Sequence, residues 1–149
     1  MREAHWIMNS SEMNMAAVRE FTRTFKNEHN VDGIDHLFAG NFAHHFAPPV
    51  KPGLEGFKDI GRMMNHAFPD VVVTEEDLIA NETTVVERSS AVGTHKGDFM
   101  GTPATGRKIR WTEIHIYRFD GGKIVGHWVE ISMLQLLQQI GAVPVPAVR

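Results

Sequence analysis

Nine histidines and no cysteine stand in a chain of 149 residues. Without cysteine there is no thiolate nucleophile, no disulfide framework and no cysteine-ligated zinc or iron–sulfur site. Imidazole and carboxylate remain for chemistry near neutral pH, histidine being also the commonest metal ligand. The most informative run is Arg110-Trp111-Thr112-Glu113-Ile114-His115-Ile116-Tyr117-Arg118. Strand alternation places Trp111, Glu113, His115 and Tyr117 on one face, and Thr112, Ile114 and Ile116 on the other. A solvent face seldom carries Trp and Tyr in register, and a plain core face would not carry Glu and His. A lined cavity accounts for both; a half-exposed strand with a scattered histidine is the alternative, and this strand alone leaves both open.

The turn at Asp120-Gly121-Gly122 decides which residues of the next strand join that face. A three-residue loop with Gly122 in the left-handed bulge position pairs Phe119 with Lys123. His115 then lies across from His127, and Glu113 across from Val129. A two-residue Gly121-Gly122 turn shifts the register by one, sets Glu113 against Glu130 and removes His127 from the site. The first is preferred, because two carboxylates directly opposite each other repel.

Those strands need a scaffold, and the rest of the chain supplies one. Met15, Val18, Phe21 and Phe25 recur at spacings of three and four, predicting a helix from Ser11-Glu12 to His29. Val31 to Phe38 repeats the pattern briefly and stops at Gly40; Asn41 to Phe46 is a short extended piece ending at Pro48-Pro49. Gly53 to Phe68 is a further helix, with Leu54, Phe57, Ile60, Met64 and Phe68 inward. The period then changes. Val71–Ala80, Thr83–His95, Lys108–Phe119 and Lys123–Ser132 are rich in β-branched and aromatic residues, and a last helix from Met133 to Ile140 closes at Gly141. Helices followed by a four-stranded antiparallel meander is an α+β pattern. A strongly curved sheet with helices across its concave face would enclose a deep pocket.

A net charge of -3 argues against nucleic acid as the main partner, since phosphate binding needs clustered Lys and Arg. No apolar run approaches the ~20 residues of a membrane span. The first eight residues, with Glu3 and His5, do not resemble a signal peptide, so a cytoplasmic location is the expectation. The length suits one domain over 1–149, with 1–10 and 144–149 as flexible or subunit-packing termini.

Gly93-Thr94-His95-Lys96-Gly97 and Phe99-Met100-Gly101-Thr102-Pro103-Ala104-Thr105-Gly106-Arg107 resemble the SnoaL-like polyketide cyclase (ester cyclase) family. So do Tyr117-Arg118-Phe119, Gly122-Lys123-Ile124-Val125, His127-Trp128 and Leu136-Leu137-Gln138-Gln139-Ile140-Gly141. The resemblance runs from about Met13 to Pro144. It implies the NTF2-like cone fold, and ring closure by intramolecular aldol condensation of a polyketide ester without cofactor or metal. In that chemistry an aspartate removes the α-proton and a histidine hydrogen-bonds the oxyanion. The histidine matches His115; the aspartate position is Val129 here, so the chain departs from its family at the general base.

Of two possible substitutes, Glu113 is the better candidate, because the preferred register sets it across from Val129; Glu130, next to Val129, points to the other face unless a bulge intervenes. Glu113 is thus read as base, His115 as oxyanion donor and His127 as an orienting or second acid–base group. Apolar neighbours are expected to raise the Glu113 pKa. A purely structural Glu113–His115 hydrogen bond is the competing reading. Further pocket residues are His44, His45, Phe57, Met64, His66, Phe68, Trp111, Tyr117 and Val129. His95 is assigned to structure, and His5, His29 and His36 to the surface. No metal or cofactor is expected.

The expected function is cofactor-independent enolisation or aldol-type cyclisation of a hydrophobic carbonyl compound. The alternatives are a non-catalytic small-molecule binder on the same fold and a hydrolase or hydratase resembling epoxide hydrolases. Ile114, Ile116 and Trp128 on the outer sheet face predict a homodimer or a larger symmetric oligomer. The Phe99-Met100 loop is either a flap or part of a subunit interface.

Overall fold

The computed structural model describes residues 8–46 and 51–148. The expectations for residues 1–7, including His5, for the Pro48-Pro49 stop and for Arg149 lie outside the described residues. The first helix, α1 (Ser10–Phe21), starts one residue earlier than expected because Asn9 is its cap. The Asn9 side chain accepts the Glu12 backbone N–H at 2.9 Å, and the Glu12 carboxylate accepts the Asn9 N–H at 3.0 Å, a reciprocal capping box. After Phe21 the helix widens into a π-helical turn, Thr22–Asn27, in which the Glu28 N–H reaches back to the Arg23 carbonyl. The uniform helix expected to His29 is therefore corrected.

The helix expected over 31–38 is a turn followed by one 3-10 turn, Asp35–Leu37. Ile34 and Leu37 are buried as expected, but Phe38 already belongs to a strand, β1 (Phe38–His45), and Gly40 lies inside it. Strand pairing overrides local helical spacing here: β1 lies parallel to the last strand and becomes a fifth strand of the sheet. Then come α2 (Gly53–Ala67), β2 (Val72–Ala80), β3 (Thr84–Thr94), β4 (Lys108–Asp120), β5 (Lys123–Ile131) and α3 (Met133–Gln139), each within two residues of its expected bounds. Strand order is β1-β5-β4-β3-β2, antiparallel except for the β1–β5 pair.

Burial along β4 alternates from Ile109 to Phe119, the odd positions buried, as a sheet with one covered face requires. Two apolar clusters lie on that face. One joins Val18, Phe21 and Phe25 to Phe38, Phe57, Val85 and Tyr117; the other joins Phe68, Val71 and Phe99 to Ile109, Trp111 and Leu136. Gly61 lets α2 settle on the first cluster: a Cβ there would lie 2.3 Å from the Phe25 ring.

The β4–β5 hairpin corrects the expected register. Gly121 and Gly122, at φ +55° and +78°, form a two-residue turn that pairs Asp120 with Lys123. A bulge at Val125 then adds one residue, because Phe119 pairs with Ile124 and Arg118 with Gly126. The shorter turn and the bulge each move the register by one. Parity is preserved, so Glu113, His115 and His127 still share the concave face. Their partners move by two: His115 faces Val129, Tyr117 faces His127 and Glu113 faces Ile131.

Candidate active site

β4 projects Trp111, Glu113 and His115 inward at successive odd positions, and β5 adds His127 beside them. The Trp111 Nε1–H donates to Glu113 Oε1 at 2.7 Å. Glu113 Oε2 lies 2.7 Å from His115 Nε2, a separation that requires a proton between them. With that proton on Nε2, His115 Nδ1 accepts the His127 Nε2–H at 2.9 Å. This leaves His127 Nδ1 as a lone pair, buried and without a hydrogen-bond partner among the described residues.

Lys26 completes the cluster from the π-helical turn. Its Nζ lies 3.4 Å from Glu113 Oε2, 3.4 Å from Glu87 Oε2 and 3.0 Å from His115 Nε2. Glu87, wholly buried, also accepts the hydroxyls of Thr22 and Tyr117, each at 3.0 Å. One ammonium thus lies between two buried carboxylates.

These contacts reverse the expected electrostatics of Glu113. Burial by itself raises its pKa, but Lys26, His115 and the Trp111 N–H together outweigh it and hold the group well below the usual carboxylate range. Glu87 is lowered in the same way: burial pushes it up, while Lys26, His115 and its two hydroxyl donors pull it further down. Burial, reinforced by Lys26, lowers His115, and Glu113 restores only part of that. His127 falls well below its ordinary value through burial and then its histidine and lysine neighbours. Burial beside Glu87 raises the Tyr117 phenol well above its own.

All four lowered groups give stability the same sign. The unfolded chain binds protons first, with His115 and His127 at an ordinary 6.5 and the carboxylates at 4.5. Stability is therefore full above about pH 6.5 and falls as pH drops, first through the histidines and then more steeply below about 4.5 through Glu87 and Glu113. Urea unfolding between pH 4 and 8 measures this; a flat profile across that range is the contrary result.

The cluster forms one wall of a cavity of about 390 Å³. The remaining wall is chiefly apolar: Phe21, Phe25, Phe57, Met64, Phe99, Val129, Ile131 and Met133. Of the residues expected there, Glu113, His115, His127, His44, Phe57, Met64, Trp111 and Val129 line it, and four do not. His45 alternates to the outer face and stacks on Trp128, ring centroids 4.5 Å apart. His66 is on the exposed side of α2. Phe68 lies behind the wall, packed on Trp111 and Phe99. Tyr117 lies beneath it, its ring against Phe21 and its hydroxyl on Glu87. Glu130 is exposed on the outer face, as alternation requires.

His95 is fully buried, with Nδ1 3.0 Å from the Thr105 hydroxyl. His36 is exposed beside Glu20, while His29 is half-buried rather than on the surface. Met100 also lines the cavity, in a tight turn where Phe99 and Thr102 exchange backbone hydrogen bonds. Among the described residues no group of three His, Asp or Glu side chains is arranged to hold a metal ion. The ring nitrogens that link the cluster are engaged with one another or with Glu113.

Sequence reading missed Lys26 and Glu87. Glu87 carried a signal: Val85, Glu87, Ser89 and Ala91 follow the inward phase of β3. Lys26 carried none, because the π turn that carries it toward the site interrupts the α-helical spacing.

A curved sheet with helices across its concave face, enclosing one deep pocket, is the NTF2-like cone. The SnoaL-like polyketide cyclase family matches residues 16–140, and the chain belongs to that family. The aklanonic acid methyl ester cyclase DnrD of Streptomyces peucetius is 29% identical over 109 residues, 72% of this chain and 73% of DnrD. AclR from Streptomyces galilaeus superposes with a TM-score of 0.80 at 27% identity, over 90% of this chain and 84% of AclR. TsrD from Streptomyces laurentii does so with 0.77 at 29% identity, over 86% of this chain and 97% of TsrD. No helix among the described residues is long and apolar enough to cross a membrane.

Proposed function

We propose that this chain enolises a hydrophobic, carbonyl-containing small molecule and closes a ring by intramolecular aldol addition, using its own acid–base groups. The observation that carries the reading is the 2.7 Å Glu113–His115 contact in the wall of an otherwise chiefly apolar cavity. Glu113 Oε2 takes the α-proton, and the electron pair of the broken C–H bond moves to the carbonyl oxygen as an enolate. As Glu113 becomes protonated it needs the His115 N–H less, and that N–H turns to the enolate oxygen. His127 fixes the His115 tautomer from behind.

The lowered proton affinity of Glu113 narrows the substrate class. A carboxylate held by the Lys26 cation and the His115 and Trp111 N–H groups is best matched to carbon already acidified, as between two carbonyls, so a β-keto ester is the fitting substrate. The saturated hydrogen bonding of Glu113 favours one other reading, a binder whose carboxylate is structural. Incubation with a hydrophobic β-keto ester in deuterated water separates the two. Acceleration of α-proton exchange over buffer supports the enzyme; exchange at the buffer rate supports the binder.

We also propose a homodimer through the outer sheet face. Ile114 is 48% exposed and Trp128 38%, beside half-buried Ile116. Sedimentation equilibrium should give twice the chain mass, and Ile114→Glu should shift it toward one. A monomer at tens of micromolar sinks the idea.

A further inference from the structure

Lys26 has no part in the reaction as written above, yet it lines the cavity with its side chain only 11% exposed. An ammonium has three N–H donors. Two are directed at Glu87 Oε2 and Glu113 Oε2, each 3.4 Å away. The third neighbour, His115 Nε2 at 3.0 Å, accepts nothing while it carries the proton it donates to Glu113. The Lys26 ammonium therefore keeps one donor without an acceptor among the described residues, beside the groups that handle the proton.

A second observation points the same way. Lys26 lies in the π-helical turn Thr22–Asn27, into which the chain widens directly after α1. Such widened turns are unfavourable on their own and recur at functional sites. Glu87 anchors the lysine from behind, itself held by Thr22 and Tyr117. A π-helical turn, a buried counter-ion and two hydroxyls thus combine to hold one cation at the cavity wall.

We propose that Lys26 is a catalytic residue of this site, its unengaged N–H binding the oxygen on which negative charge develops when a carbonyl compound is enolised. The inference rests on the enolisation reading. Balance is kept: the carbon-bound proton moves to Glu113, the electron pair moves to oxygen, and Lys26 donates a hydrogen bond without giving up its proton. Site plus ligand keep the same total charge throughout, so the cavity takes up a neutral carbonyl compound and holds it as an enolate beside a protonated Glu113. A fixed cation in a water-poor cavity suits that task, because it needs no reorganisation as the charge appears.

The test uses 2-naphthol, a flat apolar molecule whose bound oxygen mimics the enolate and whose fluorescence distinguishes its neutral and ionised forms. The wild-type chain should bind it and favour the ionised form at least ~tenfold over buffer, with Lys26→Met abolishing that preference and Lys26→Arg keeping part of it. Because Lys26→Met leaves two buried carboxylates without a cation, the Lys26→Met/Glu87→Gln double variant is measured beside it, with near-ultraviolet circular dichroism to verify folding. Unchanged ionisation in a folded variant lacking Lys26 overturns the proposal. So does a wild-type protein that binds 2-naphthol only as the neutral phenol, or not at all. Naphtholate held by Lys26 without β-keto ester exchange would instead overturn the enzyme reading and leave the Lys26 site standing.

Discussion

Glu113→Gln is expected to lower β-keto ester exchange by ~10²–10⁴-fold, the usual contribution of a positioned general base. The amide is nearly the same size and its oxygen can still accept a hydrogen bond from Trp111 or His115, so the wall keeps its shape. What disappears is the capacity to take a proton. The substitution also removes a negative charge 3.4 Å from Lys26 and 2.7 Å from His115. Its lowered pKa keeps Glu113 ionised throughout the neutral range, so the wild-type rate should show no inflection from this group between pH 5 and 8. Full turnover in Glu113→Gln would remove it as the base. His115→Ala should be damaging too, since it deletes the donor that aligns Oε2 and cuts the link to His127.

Glu87→Ala is expected to cost about 3–5 kcal/mol of folding stability, the scale for breaking a buried ion pair by removing one partner. The change leaves the Lys26 ammonium beside Glu113 alone and strips the Thr22 and Tyr117 hydroxyls of their acceptor. Neither hydroxyl has another acceptor within the cluster, and Tyr117 is fully buried. Urea denaturation measures the loss. Glu87→Gln, which keeps an acceptor but loses the charge, should fall between the alanine variant and wild type. A loss below about 1 kcal/mol for the alanine variant would mean the polar network contributes little net stability.

Glu87 and Lys26 were not placed in the site by residue type and spacing, whereas the inward residues of β4 were. Strand alternation is a local property with a period of two, so Trp111, Glu113 and His115 could be placed on one face from residue types alone. The face of His127 was legible for a subtler reason. Its register shifted by two positions, from a two-residue turn and a bulge at Val125, and an even shift preserves the face. Which residue lies opposite His115 was not legible, because no local signal distinguishes Gly121-Gly122 with a bulge from a longer loop.

The helical half was less legible. The spacing over 31–38 suits a helix, but Phe38 to His45 gains more by pairing with the free edge of β5. Long-range hydrogen bonding decides such a choice. The same holds for Lys26, whose approach to the site depends on an irregular turn that pattern matching with one period passes over.

By itself, then, the amino-acid sequence determined an α+β domain with carboxylate and imidazole on the covered face of its longest strand, because side-chain type and alternation are written locally. It also carried the family, in motifs spread over most of the chain. Only the tertiary structure decided the charge state of Glu113. That depends on a lysine 87 residues away in sequence brought to 3.4 Å, and on a second buried carboxylate that holds it there. Proton affinity in a buried site is set by every charge within a few ångströms. The fold decides which charges those are.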